Sequence, residues 1–484
     1  MLLTSIFSLL CISLIFLSFI PGHNVKLIRS VSLFSSAIVL FLSCGLLVQF
    51  DCNTYYFQNV IVFALGDQSL NMTFSFGLDG ISIFFFVLTS LLIFLCVLFV
   101  LDEHLLKEYV ISLLLIELLL LLVFSVLDVF LFYIFFEGIL IPMFLMIGLW
   151  GSRERKIRAV YLLFFYTLVG SLLMLVGILY MLSVVGTLNI EYLMSYDFTL
   201  EEQCWLWLAF FLSFASKIPM FPFHVWLPEA HVEAPTVGSV LLAGILLKLG
   251  VYGFLRFSLT LFPLGSLYFS PLVYLLSILG VIFASMSAIR QTDIKRIIAY
   301  SSVAHMNLVT LGIFSFNIIG LEGSILQSIS HGFVSGAMFF LVGILYNRYH
   351  SRLLYYYGGL VHMMPVYSIL LLIFTMANIA LPGTSSFVGE FLLLTGIYKV
   401  NIVSCIVGAL GVILCGAYSL WLYNRIIFGN LKTEFITRFK DIDFKEFSIL
   451  LPLLFFVIFM GVYPSFFSNF IHLSVSNLSL VTTY

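Results

Sequence analysis

Charge is scarce along these 484 residues: 9% are Asp, Glu, Lys or Arg against 62% hydrophobic, and the mean hydropathy is +1.18. So little charge excludes a water-soluble domain and leaves a polytopic membrane protein. The net charge of -2 and the pI near 6.5 supply no basic footprint, so no nucleic-acid partner is expected. Cysteine is sparse too, seven scattered residues with no CxxC pair, which removes the usual zinc and iron–sulfur spacings. Neither a G-x-G-x-x-G fingerprint nor a P-loop is present, so no nucleotide-phosphate cradle is expected. The first apolar run, Leu2 to Ile20, has no basic stretch before it and no small-residue cleavage site after it, only Pro21-Gly22-His23. It reads as a retained helix, and without an Arg-rich presequence the chain is expected to be made in a bacterium or inside an organelle.

What the sequence has in abundance is apolar runs of about 20 residues, each sufficient to span a bilayer. They predict an all-α polytopic membrane protein with about fourteen transmembrane helices in a single membrane domain. Three fall in residues 1–109, five in 110–258, five in 271–428, and one with a tail in 429–484. The fourth and fifth nearly abut at Asp128.

Basic residues collect in the loops after odd-numbered spans: Lys26 and Arg29, Lys107, Arg153 to Arg158, Arg290 to Arg296, Arg348 and Arg352, then Arg425, Lys432, Arg438 and Lys440. The opposite loops carry Asp51, Asp67, Glu191, Asp197, Glu201, Glu202 and Glu322, with Arg256 and Lys399 as exceptions. This bias defines one basic face, equivalent to the cytoplasmic side, and places both termini on the other. Arg153 to Arg158 reads as topology signal, with a cardiolipin-type headgroup site as the alternative.

Against this apolar background one stretch stands out, Ser213 to Thr236, reading SFASKIPMFPFHVWLPEAHVEAPT. Pro219 and Pro222 each remove an amide donor and clash with the preceding turn, so the helix entering at Trp205 is expected to break just after Lys217. In lipid, freed backbone groups beside an ammonium are tolerated only where protein or water surrounds them. Roughly 160 residues later a second overlong span carries Asn378, Pro382, Gly383, Ser385 and Ser386 ahead of Glu390. The two breaks predict two five-helix repeats with discontinuous seventh and twelfth helices. Because five is odd, the second repeat enters from the opposite side and is inverted.

Few ionisable residues lie within the spans: Glu117, Glu137, Lys217 and Lys248 in the first repeat, then His305, His331 and Glu390 in the second. Each unpaired charge at mid-bilayer costs some ~3 kcal/mol on insertion scales, which favours function or pairing over chance. Glu137, Lys217, Lys248, His331 and Glu390 form the expected proton relay, with Glu117, His305 and His224 as secondary candidates. A neutral imidazole can also sit satisfied in a core, and His224, His231, Glu229 and Glu233 read as caps of the second half-helix near the surface. A lysine relays protons only if its ammonium can be made to give one up. Desolvation favours release and a nearby carboxylate opposes it, so a changing Glu137 to Lys217 distance would load and unload it.

The blocks FFEGILIPMFLMIGLWGSRERKIRA, SKIPMFPFHVWLPEAHVEAPTVGSVLLAGILLKLGVYGFLRF, QTDIKRIIAYSSVAHMNLV, SHGFVSGAMFFLVGILY and ALPGTSSFVGEF resemble the antiporter-like membrane subunits of respiratory complex I, over about Gly77 to Pro464. Their wording is most similar to the mitochondrial forms of plants and protists. The resemblance implies proton translocation across the mitochondrial inner membrane, coupled to electron transfer from NADH to ubiquinone. It implies that Glu137 is the fifth-helix acid, Lys217 the lysine of the first break, Lys248 the bridging lysine and Glu390 the acid of the second break, with His331 in the eleventh-helix block. It also implies no redox cofactor on this chain: NADH, FMN, the iron–sulfur clusters and ubiquinone would lie on other subunits. The implied partners are other membrane-arm subunits, further antiporter-like ones among them, and the chain would be organelle-encoded. A secondary cation/proton antiporter subunit, a non-pumping structural subunit and a plastid relative reducing plastoquinone stay open on sequence alone.

Overall fold

The computed structural model describes residues 2–64, 73–100, 105–432 and 440–483; Asp67 and Arg438, two of the expected loop charges, lie outside them. It is overwhelmingly helical. The N-terminal part comprises α1 (Leu2–Phe19), α2 (Val25–Gln49), a hairpin of β1 (Gln58–Ala64) and β2 (Thr73–Leu78), α3 (Ser82–Phe99) and α4 (Leu106–Ser125). Then come α5 (Val129–Trp150), α6 (Lys156–Val185), the short α7 (Ile190–Met194), α8 (Leu200–Lys217), α9 (Trp226–Glu233) and α10 (Thr236–Leu261). The remainder is α11 (Pro263–Arg290), α12 (Ile294–Ile313), α13 (Ile318–Tyr349), α14 (Pro365–Asn378), α15 (Ser385–Tyr398), α16 (Ile402–Ile427), α17 (Phe444–Val462) and α18 (Ser465–Thr483). Among the described residues eleven helices are long and apolar enough to cross a membrane, with α14 and α15 as shorter apolar ones.

The chain forms two compact units. The first is Met1–Lys217, Lys248–Phe269 and Asn469–Tyr484; the second is Ile218–Leu247 and Ser270–Ser468. Burial separates their helices into two kinds. In α10 and α13 the apolar window is entirely buried, whereas in α1, α2, α16 and α17 only about a third of it is. With lipid as the solvent, the outer helices turn Ile, Leu and Phe outward, and the buried ones carry the serines, histidines and lysines that a bilayer would penalise.

Helix ends explain how adjoining spans stay distinct. The close approach of the fourth and fifth spans is resolved by an extended joint at Val126 to Asp128, where the Asp128 carboxylate accepts from the Phe130 and Leu131 amides at 2.9 and 3.0 Å. That joint pairs with the hairpin through Phe76 and Val126, and with Asn189 through Asp128. The hairpin is antiparallel, with Ile61 opposite Phe76 and Val62 opposite Ser75. It departs from the all-α expectation, which has no strands. In the second unit Asp293 repeats the arrangement, capping α12 at the Lys295 amide (3.0 Å) and pairing with Leu353.

Both expected interruptions are present. α8 stops at Lys217 and α9 resumes only at Trp226; α14 stops at Asn378 and α15 begins at Ser385. Gly383 at the second break takes φ +92°, a conformation that favours glycine. α17 lies hard against this break, since a Cβ on Gly461 would stand 2.3 Å from the Gly383 carbonyl oxygen. Gly461→Ala is therefore expected to push the break backbone and cost about 1–3 kcal/mol, read as a lower melting temperature of the assembled protein. An unchanged melting temperature would show that α17 can slide away.

Candidate functional site

In the first unit Glu137 lies near the middle of α5, beside a break in that helix at Gly138–Ile139. Pro142 causes the break, because it has no amide to offer the Gly138 carbonyl. Lys217 is the last residue of α8 and only 3% exposed. Its Nζ stands 3.8 Å from Glu137 Oε1, donates to the Phe136 carbonyl at 3.3 Å and lies 4.2 Å from the centre of the Phe136 ring. At 3.8 Å the pair is a Coulombic contact and not a hydrogen bond. The negative end of the α8 dipole also faces the ammonium.

Lys248 is fully buried in α10, bracketed by two π turns at Leu242–Leu246 and Phe254–Ser258. Such turns cluster at functional sites, and no composition signal announced them. Glu117, a secondary candidate, points inward from α4: it is wholly buried, and neither carboxylate oxygen has a hydrogen-bond partner among the described residues.

In the second unit Glu390 of α15 is the centre. His305 Nδ1 of α12 approaches its Oε1 to 2.9 Å, and Gln327 of α13 donates to the same oxygen at 3.0 Å. Gly389 permits this contact, since a Cβ there would meet Gln327 at 2.5 Å. The other His305 nitrogen, Nε2, lies 3.5 Å from Cys415 Sγ, and the ring centre is 5.9 Å from that of His331. Structure thus brings His305, a secondary candidate, into direct contact with the expected acid, while His331 is a buried neighbour of the pair. Gln327 and Cys415 escaped sequence reasoning because neither is charged. His224 lies between α8 and α9, half-buried and stacked on Phe221 at 5.6 Å.

Other charges take corrected places. Arg256, an exception to the loop-charge bias, is buried and paired with Asp79 at 2.6 Å, with its Nε donating to the Tyr252 hydroxyl at 3.2 Å. Lys399, the other exception, is an exposed C-cap of α15, where the helix dipole suits a cation. Glu233 and His231 are not surface caps: they are 2% and 0% exposed. The short α9 turns both inward.

Residues 126–415 match the family model described as NADH:quinone oxidoreductase/Mrp antiporter, TM. Curated relatives include NADH-ubiquinone oxidoreductase chain 4 of Marchantia polymorpha, 52% identical over 95% of this chain and 93% of the relative. The protein of the same name from Chondrus crispus is 50% identical over 99% and 97%. NADH-quinone oxidoreductase subunit M of Rhodobacter capsulatus is 48% identical over 84% and 82%. Among solved structures, a chain of respiratory complex I from Thermus thermophilus with bound NADH superposes with a TM-score of 0.89 at 30% identity, covering all of both chains. A chain of the Mrp complex from Dietzia sp. DQ12-45-1b shares the fold, with a TM-score of 0.85 at 19% identity over 100% of this chain and 99% of that one.

Proposed function

The chain belongs to the NADH-ubiquinone oxidoreductase chain 4 family, and from that premise we propose that it is a core membrane subunit of respiratory complex I that moves protons across the mitochondrial inner membrane. Electron transfer from NADH to ubiquinone would drive it from other subunits, with no redox cofactor on this chain. Its partners would be further membrane-arm subunits, antiporter-like ones included, and the chain would be organelle-encoded.

One observation carries this reading: each break in a helix sits beside a buried acid–base contact, Glu137 with Lys217 and Glu390 with His305. A carboxylate withdrawn from 3.8 Å to about twice that distance forfeits roughly half of a ~4 kcal/mol attraction at an effective dielectric near 20. That is more than tenfold in the ammonium's proton-release equilibrium, since ~1.4 kcal/mol is tenfold. The relay is Glu137, Lys217 and Lys248 in one repeat and His331 and Glu390, with His305, in the other.

The two inverted five-helix repeats belong to the same proposal. Three landmark pairs support them, each separated by about 160–165 residues as an internal repeat requires: the caps Asp128 and Asp293, their bridge partners Asn189 and Leu353, and the helix ends Lys217 and Asn378.

The test is the number of protons pumped per electron by the assembled complex in liposomes. Lys248→Ala and Glu390→Gln are each expected to lower it, with coupled turnover falling about tenfold (~1.4 kcal/mol). An unchanged ratio in both, at normal assembly, would leave the buried charges with a packing role only.

A further inference from the structure

A second group of buried ionisable residues lies in the second unit at the basic ends of α12 and α13, away from the Glu390 pair. Arg352 and Lys295, read from sequence as loop charges, are only 1% and 2% exposed. Arg352 Nη2 is 3.7 Å from Glu233 Oε1, and its Nε is 3.9 Å from Asp293 Oδ2. Lys295 Nζ donates to the Ala234 carbonyl at 2.9 Å and to the Ser239 hydroxyl at 3.4 Å. Beside them Arg296 and Glu229 pair at 2.5 Å with about a third of each side chain exposed. Three cations therefore face three carboxylates.

Two features set this group apart from a structural ion-pair network. The ion pairs of Arg352 are too long for hydrogen bonds, and Arg352 Nε, Nη1 and Nη2 and Glu233 Oε2 are buried with no hydrogen-bond partner among the described residues. A network kept for stability is expected to satisfy those atoms, because desolvating unpaired charge outweighs the attraction. The groups also form a graded file. Glu229 and Glu233 are four residues apart on α9, so their Cβ atoms are about 5–6 Å apart on one helix face, with the outer acid part-exposed and the inner one buried. With three cations and three carboxylates the group is formally neutral, and its carboxylates are the members that can take up and release a proton. Unsatisfied guanidinium nitrogens are groups that water entering the file would bind.

We propose that Glu229 and Glu233 are the proton-uptake path of the second unit from the basic face, with Arg296, Arg352 and Lys295 positioning them. The inference rests on the proton-translocating reading above. A hydronium ion at the basic face protonates Glu229 and leaves as water, Glu229 passes the proton to Glu233, and Glu233 gives it to a water molecule further inside, so that both carboxylates are restored.

The experiment uses the intact complex in liposomes, with formate added on the basic-face side as a small diffusible acid. Glu233→Gln is expected to slow pumping about tenfold at normal assembly; formate should recover a substantial part of it, and Glu233→Asp should pump near normally. Glu229→Gln, at a position about a third exposed where glutamine keeps an acceptor for Arg296, should slow pumping a few-fold and respond to formate in the same way. If Glu233→Gln fails to assemble, the formate response of Glu229→Gln decides alone. Wild-type pumping in Glu229→Gln and Glu233→Gln, or losses that formate does not touch, would overturn the uptake path. Should that happen while Lys248→Ala and Glu390→Gln still lower the pumped ratio, only the uptake path falls; if those two also pump normally, the translocation reading falls with it.

Discussion

Lys217→Arg should assemble, keep a positive charge beside Glu137 and pump almost no protons. Arginine preserves a cation at the end of α8 but is not deprotonated in proteins, so it separates holding the break together from releasing a proton. The Glu137 carboxylate at 3.8 Å and the Phe136 carbonyl at 3.3 Å from the lysine nitrogen are acceptors to which a guanidinium can also donate. We expect at least a tenfold loss of pumping (~1.4 kcal/mol or more in the effective barrier) at wild-type levels of assembled protein. Lys217→Ala and Glu137→Gln should show the same loss, with Lys217→Ala also lowering stability by leaving Glu137 without its counter-charge. Wild-type pumping in Lys217→Arg would reduce the pair to a structural one.

Arg256→Ala should produce the largest stability loss, about 3–5 kcal/mol, because it strands a buried carboxylate. Arg256 and Asp79 are 5% and 4% exposed and meet at 2.6 Å, and the guanidinium also lies 4.9 Å from the centre of the Phe57 ring. The pair joins the start of α3 to the end of α10 and the stretch before β1, all within the first unit. The double variant Arg256→Gln with Asp79→Asn removes both charges and should recover more than half of the loss, read as the melting temperature of the assembled complex. Equal losses in single and double variants would show that shape, and not charge, decides this contact.

The breaks, the buried acids and the membrane class were legible because each is a local signal. A proline pair after Lys217, or a glutamate in an apolar run, carries its meaning within a dozen residues. What failed was pairing over long separations. Arg256 looked anomalous because its partner Asp79 lies far back in the chain, and Lys295 and Arg352 looked like loop charges because their burial depends on α9 folding inward. His305 was ranked below His331 since nothing near it in sequence revealed the 2.9 Å approach to Glu390. The hairpin was different, for Val60, Ile61 and Val62 and the Thr73 to Phe76 alternation are ordinary strand signals. They were outweighed by hydropathy, which cannot distinguish a short strand from a connecting loop.

The two π turns of α10 have a geometric consequence for Lys248. A π turn holds one residue more than its α counterpart, so the turn at Leu242–Leu246 offsets everything after it by roughly 100° about the helix axis, one residue's rotation. Deleting a single residue there would restore a regular wheel, leave the hydropathy of the segment almost unchanged, and swing the ammonium toward a different neighbour. The bulge therefore works as an angular spacer, and a chain one residue shorter at this point would keep its span while misdirecting its lysine.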